Sequence, residues 1–301
     1  MENNERKVGI IIATYNRLHM LKELIGSIMD NSYPYYDIIV VNNDSTDGTR
    51  EWLALQKNIH VINQENCGGA GAFFAGLKFA VEKKSYKYVW IMDDDVEVYK
   101  NSLSKLVDRA EFLNDDFGFL CSKVIDLNFT PCNVPGIDMR KNKTGDVSWN
   151  VFSEKSLIKV VESSFVSFFL KTEHAKTLGL PYKEFFIWGD DSEYSLRISK
   201  LYDSYFVGDS VVLHKRINAS VLSIFGEKNK NRMKNFFYFY RNGLFVSRKH
   251  KGFLYSCYRY CRVFRDFLVL FLSFKFFKAF IVLKALVVSL FFNPKIEYPT
   301  L

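Results

Sequence analysis

The sequence predicts an α/β protein on a mostly parallel, Rossmann-like sheet with flanking helices, followed by a basic, aromatic-rich helical segment at the C-terminus. Two observations predict the first part. Apolar runs of strand length alternate with helical repeats over residues 8–95, the pattern of βαβ units with right-handed crossovers. A polar cluster closes each apolar run, where open parallel sheets bind their ligands. Charge sets the second part apart. The 301 residues carry a net charge of +8, yet from His214 to Lys284 there are 16 Lys and Arg against only Glu227 and Asp266. That stretch is +14 and the remainder −6, an asymmetry that points to a polyanionic surface as partner.

In chain order, residues 8–13 are a continuous β-branched run, as in a strand buried on both faces. Thr14-Tyr15-Asn16-Arg17 breaks it, and Leu18, Leu21, Ile25 and Ile28 have helical spacing. Residues 37–41 form a second strand, closed by a polar run through Gly48, then a helix over 49–55 and a short strand at 60–62. Asn66-Cys67-Gly68-Gly69-Ala70-Gly71 opens a helix through Val81, and glycines there let backbone N–H groups approach a phosphate or sugar. The cluster has neither Walker nor dinucleotide-fingerprint spacing.

The next strand, residues 88–92, ends in Asp93-Asp94-Asp95. Three adjacent carboxylates repel one another, and desolvation raises their pKa values. A hard divalent cation, Mn²⁺ or Mg²⁺, is the economical partner, against the plainer reading of a solvated acidic turn. Further on, residues 117–124 and 160–170 read as strands and 128–148 as a long loop. His174 reads as a surface or capping histidine. Residues 211–215 end a strand in His214. The five cysteines are odd in number and follow no zinc spacing, so they are expected as free thiols in a reducing cytoplasm. No secretory signal is recognisable at residues 1–13.

Four of these motifs, in this order, resemble the inverting, nucleotide-sugar-dependent glycosyltransferases of family 2, with a GT-A fold. They are Ile-Ile-Ala-Thr-Tyr-Asn-Arg (11–17), Val-Val-Asn-Asn-Asp-Ser-Thr-Asp-Gly-Thr (40–49), Asn-Cys-Gly-Gly-Ala-Gly (66–71) and Met-Asp-Asp-Asp (92–95). A fifth, Phe-Ile-Trp-Gly-Asp-Asp-Ser-Glu-Tyr-Ser-Leu-Arg (186–197), is similar to their acceptor-side motif. The resemblance implies that Thr14, Asn16 and Asn43 contact the donor nucleoside, with Arg17, Asp44, Asn66, Gly68 and Gly69 on the same side. Asn43 stands where many relatives have aspartate and Asp44 where glycine or asparagine is usual, which leaves the base contact open. It implies Asp93 and Asp95 at the metal and diphosphate, Asp94 beside the ribose or sugar, and His214 completing the coordination. It places the general base on Asp191, with Glu193 as the alternative, Asp190 orienting acceptor hydroxyls and Trp188 and Glu193 at the acceptor. Asp190 and Asp191 also suit a plain helix cap. Arg232 and Arg241 are candidates for the pyrophosphate by charge alone.

Within the family the Gly-Gly-Ala-Gly turn and triple aspartate are most similar to galactofuranosyltransferases and related rhamnosyltransferases. The expected donor is therefore UDP-galactofuranose, with dTDP-rhamnose as the alternative, and the expected acceptor a lipid-linked glycan in cell-surface polysaccharide synthesis. Two units are expected: residues 1–250, with a nucleotide-sugar half to about 100 and an acceptor half beyond it, and residues 251–301. Residues 267–292 are mostly apolar but hold Lys275, Lys278 and Lys284. Three lysines make a span costly, at roughly 2.5–3.5 kcal/mol each near the bilayer centre. Lying on the anionic inner face of the cell membrane is cheaper; packing on the catalytic unit or in an oligomer is the plainer alternative. Aromatic and basic interleaving also raises single-stranded nucleic acid as a partner, but no recognition motif supports it and the acidic cleft opposes it. A non-catalytic membrane scaffold is the remaining alternative.

Overall fold

The structure, a computed structural model, describes residues 7–83, 86–215 and 222–300. A 10-stranded sheet runs in the order β3-β2-β1-β4-β9-β6-β10-β8-β7, with β5 on β10. Its strands are β1 (Val8–Thr14), β2 (Tyr36–Asn43), β3 (Ile59–Gln64), β4 (Tyr88–Asp93), β5 (Val96–Val98), β6 (Phe119–Ile125), β7 (Gly136–Ile137), β8 (Leu157–Glu162), β9 (Phe168–Lys171) and β10 (Ser204–His214). The first four in space, β3-β2-β1-β4, are parallel throughout. Beyond them, among the described residues, only β6 and β10 pair in parallel, and β9, β8, β7 and β5 run antiparallel to their neighbours. The expectation of a mostly parallel sheet holds for the N-terminal half alone. The single strand expected over 160–170 is two: β8 pairs with β10, while β9 lies between β4 and β6.

Both faces of the sheet are covered, as the β-branched runs require. Ile10, Ile12, Ile38 and Val40 pack with α1 (Leu18–Met29) and α4 (Ser102–Phe112), and α2 (Thr49–Ala54) adds Leu53 on this side. Ile11, Ile39, Val89 and Ile91 face α3 (Gly68–Lys83), α5 (Thr172–Leu178) and α6 (Asp190–Ser199). His174 lies on this face. It is buried rather than at the surface, with its Nε2 2.7 Å from the Phe117 carbonyl oxygen, and burial lowers its pKa.

The C-terminal part is a bundle of α7 (Lys230–His250), α8 (Phe253–Leu272) and α9 (Phe276–Phe291) around Met233, Phe236, Leu244, Val263, Leu270 and Val282. A boundary at residue 250 therefore falls between two helices of one bundle. The apolar run of residues 267–292 is broken at Phe274, where φ is 57°. Among the described residues no helix is long and apolar enough to cross a membrane. The last residues return to the sheet unit: Phe292 packs on Phe185 and Phe245, and Leu180 N donates to Glu297 O at 2.8 Å.

One contact joins the two halves of the site. Gly68, at φ 74°, opens α3 directly under the Phe186 carbonyl, and a Cβ there would stand 2.0 Å from that oxygen. The amide of Ala70 donates to the same oxygen at 3.1 Å. Gly68→Ala is therefore expected to cost about 2–4 kcal/mol, since both strain and a backbone clash oppose it. Thermal unfolding checks this; an unchanged melting temperature would contradict the contact.

Candidate active site

The parallel strands deliver their polar ends to one side. Thr14 ends β1, Asn43 ends β2 and Asp93 ends β4, while His214 ends β10. Asp94 and Asp95 turn the chain from β4 into β5, and β5 pairs antiparallel with the end of β10, setting His214 against Val96. Register, not chance, thus brings the histidine to the carboxylates. One ligand atom each of Asp93, Asp95 and His214 lies within 4.8 Å of the others.

The fine geometry suits a cation. His214 Nδ1 lies 3.0 Å from Asn133 Oδ1. In the tautomer that donates from Nδ1, Nε2 turns a lone pair toward Asp95 Oδ1, 3.2 Å away. That oxygen is buried and makes no hydrogen bond. As an imidazolium, His214 is an ion-pair partner of Asp95; in the neutral tautomer the two atoms face each other as lone pairs, and a divalent ion between them would be coordinated by both. Two carboxylates and one imidazole form a mixed O/N donor set open to several divalent metals.

Arg17 is the cation already present: its Nη1 contacts Asp94 Oδ1 at 3.0 Å and Asp95 Oδ2 at 2.8 Å. Burial, with the charges of Asp95 and Asp94, pushes Asp93 up to about 7 against the pull of His214 and Arg17. Burial pushes Asp94 up to about 6 although Arg17 and Thr14 oppose it. Asp95 is also raised by burial, but its contacts with His214 and Arg17 outweigh that and hold it below its ordinary value.

Across the cleft, the segment before α6 is bent through Phe186, Trp188 and Gly189, all at positive φ. Asn242, buried in mid-α7, holds it. Its Nδ2 lies 2.9, 3.2 and 2.8 Å from the carbonyl oxygens of Phe185, Ile187 and Trp188. Asp190 and Asp191 follow at the N-terminus of α6, and Asp191 Oδ1 accepts from Ser192 N at 2.7 Å. Burial lifts Asp191 to about 6. It raises Asp190 as well, with the charges of Asp191 and Asp93 adding to the effect.

A cleft of about 890 Å³ collects Arg17, Gly69, Asp93, Asp95, Trp188, Asp190, Asp191 and His214. Other expected residues do not line it. Asn43 donates to Asn66 Oδ1 and Gly68 O and accepts from Gln64 Nε2 and Cys67 N, so its amide is fully occupied within the protein. Asn66 also accepts from Gly68 N at 3.0 Å. Asn16 accepts from Thr46 N at 2.7 Å, and Asp44, at φ 68°, is exposed. Thr14 donates to Asp94 Oδ2 at 2.8 Å; Asp94 is held between Thr14 and Arg17 and is 4% exposed. These residues shape the loops around the cleft.

Two expectations fail. Glu193 does not face an acceptor: it is fully buried, paired with Arg197 and with His250 Nε2 at 3.0 Å. Arg241 does not reach a pyrophosphate: it bonds Glu184 O and Asn242 Oδ1 and stacks 3.8 Å from the Phe292 ring centroid. Arg232 lines the cleft, 3.3 Å from Glu227. Sequence reasoning missed Asn133 and Asn242. An asparagine amid apolar residues of a helix was a usable signal, because burial obliges it to find partners. Asn133, in an irregular loop, offered none.

Residues 9–150 match the model of glycosyl transferase family 2. That region is similar to family 2 glycosyltransferase domains. The Bacillus subtilis protein TuaG, named for teichuronic acid biosynthesis, is 32% identical over 118 residues, 38% of this chain and 44% of its own. An undecaprenyl-phosphate mannosyltransferase of Micrococcus luteus is 31% identical over 109 residues, 35% and 44% of the two chains. The chain thus spans less than half the length of these curated relatives. The structure of S. aureus TarS residues 1–349 superposes with a TM-score of 0.53 at 16% identity, covering 84% of this chain and 68% of that one. GalNAc-T7, solved with UDP, GalNAc and Mn²⁺, gives 0.57 at 16%, covering 80% and 52%. At such identity these structures establish the GT-A-like fold. The domain match ends before Trp188.

A pH-dependent cation response follows. Asp93 and Asp94 have folded-state pKa values raised above the unfolded one. The stability this gives is complete below the unfolded value of 3.8 and is lost as pH rises through about 6 to 7. A cation displaces those protons. Mn²⁺ is therefore expected to raise the melting temperature more at a pH of about 7.5 than at about 5.5, and Asp95→Asn or His214→Ala to shrink the rise at both. Equal rises at the two pH values, or a rise intact in both variants, would contradict this donor set.

Proposed function

We propose that the chain is a metal-dependent, inverting glycosyltransferase that transfers a sugar from a nucleotide donor to a lipid-linked glycan in cell-surface polysaccharide synthesis. The observation that carries the reading is one cleft holding Asp93, Asp95 and His214 opposite Asp190 and Asp191. Asp93, Asp95 and His214 would hold a divalent ion, which supplies Lewis-acid stabilisation of the departing diphosphate. Gly69, open to the cleft with nothing within 4 Å of a built Cβ, leaves room for the donor beside the start of α3.

Asp191 is the base. As the acceptor oxygen bonds to the anomeric carbon and the bond to the diphosphate oxygen breaks, its carboxylate takes the hydroxyl proton. A value near 6 fits: the group is ionised at neutral pH yet still basic enough to accept a proton. Asp190, which burial and the charges of Asp191 and Asp93 raise above its ordinary value, orients acceptor hydroxyls. The motif resemblance supports UDP-galactofuranose as donor and dTDP-rhamnose as the alternative. The names of the relatives, teichuronic acid biosynthesis and undecaprenyl-phosphate mannosyltransferase, support a cell-surface, lipid-carried product.

The bundle supports attachment to the cytoplasmic face of the membrane. Phe274, Phe276, Phe277 and Phe280 are exposed by 81, 53, 52 and 63% along α9 and the turn before it, beside Lys275. Aromatic residues flanked by lysines suit an anionic lipid surface.

Two outcomes test the reading. With a panel of nucleotide sugars and metal, UDP-galactofuranose is expected to turn over above background, and Asp191→Asn to lower transfer about 10²–10⁴-fold while the protein still folds. Transfer by the wild type should fall as pH drops through about 6, because Asp191 is protonated below that value. Full activity in Asp191→Asn would remove it as base. Flotation with phosphatidylglycerol vesicles tests attachment: replacing Phe276, Phe277 and Phe280 by Ser is expected to weaken binding about tenfold or more. Unchanged flotation would contradict the assigned face.

A further inference from the structure

The cleft does not end at Asp191. Trp188, Asp191 and Leu222 also line a second cavity of about 410 Å³ reaching α7 and α8. Leu222, Phe239 and Arg259 continue from there into a third, of about 250 Å³. The connected space leads from the base to one face of α8, where Arg259, Arg262 and Arg265 follow at three-residue spacing over about 9 Å.

Arg265 pairs with Asp266 at 2.9 Å. Arg259 and Arg262 have no carboxylate within 4.0 Å among the described residues. Room for Arg259 is built in: a Cβ on Gly243 of α7 would stand 3.3 Å from its Nη2. Along the same helix, past the arginines, Leu268, Val269, Phe271 and Leu272 are exposed, and the exposed phenylalanines of α9 continue this apolar surface. A carboxylate base, unpaired guanidinium groups and an apolar face therefore follow one another along one path. Guanidinium groups in that position match a phosphate ester, which they bind through paired N–H donors.

We propose that Arg259 and Arg262 form the phosphate subsite of a polyprenyl-phosphate-linked acceptor. The acceptor's sugar reaches Asp191 through the second cavity and its lipid chain lies on α8 and α9. The inference rests on the glycosyltransferase reading and adds to it the residues that would bind the phosphate of the lipid-linked acceptor. The two guanidinium groups carry the phosphate charge, while Tyr255 and Trp188, which line the second cavity, form aromatic walls for the intervening sugar.

The test is co-sedimentation of the full chain with phosphatidylcholine vesicles doped with polyprenyl phosphate or, at equal surface charge, with phosphatidylglycerol. The wild type is expected to bind the polyprenyl phosphate vesicles more tightly. Arg259→Gln/Arg262→Gln is expected to lose that preference about tenfold or more while holding its binding to phosphatidylglycerol, since Lys275, Lys284 and Lys295 remain. Arg259→Lys/Arg262→Lys, which keeps the charge but not the fork, should fall between them, and it is the working variant if the glutamine pair fails to fold. No preference in the wild type, or equal loss on both vesicles, would overturn the subsite. So would inorganic pyrophosphate displacing the polyprenyl phosphate vesicles at stoichiometric concentration, which would assign the arginines to a free anion. Donor hydrolysis by the wild type reports on the transferase reading separately, so either can fail without the other.

Discussion

Three carboxylates cannot share the end of a buried strand without positive charge beside them. β4 is buried along nearly its whole length and ends in Asp93, with Asp94 and Asp95 in the following turn. Arg17 from the loop after β1 and His214 from the end of β10 converge on this point from elements far apart in sequence. β1 reaches it as the parallel neighbour of β4, and β10 through the short antiparallel β5. Much of the topology around the cleft thus serves one electrostatic requirement.

The opposite wall answers to a different constraint. Asp190 and Asp191 stand on a bent segment that would not hold its shape alone, given positive φ at Phe186, Trp188 and Gly189. Asn242 supplies the hydrogen bonds that fix it, and Gly68 lets α3 close against it. α7 is therefore both a wall of the cleft and a member of the C-terminal bundle. This gives the bundle a direct mechanical link to the candidate base, and explains why the chain after α9 packs back on Phe185 and Gly179.

Local chemistry was the legible part of the sequence. The β-branched runs specified strands buried on both faces, and the polar residues closing them marked the cleft. Asp93, Asp95, Asp190, Asp191 and His214 were all recognisable as residue types suited to a metal and a base, and the fold gathers all five. Partner choice was not legible. Glu193 reads like its acidic neighbours until α6 turns it inward onto Arg197 and His250. Asn43 reads as a ligand contact until the loops around it fill its amide. The antiparallel insertion of β9 between β4 and β6 depends on long-range pairing that no local pattern encodes. The break at Phe274 is likewise hidden inside an apolar run.

A divalent ion between Asp93, Asp95 and His214 would resolve the repulsion at the end of β4. Anomalous scattering from a Mn²⁺-soaked crystal tests it most directly. One strong peak is expected within about 2.0–2.4 Å of a carboxylate oxygen of Asp93, one of Asp95 and the Nε2 of His214. A Mn²⁺ peak bound elsewhere in the cleft, with His214 Nε2 still facing Asp95 alone, would contradict it.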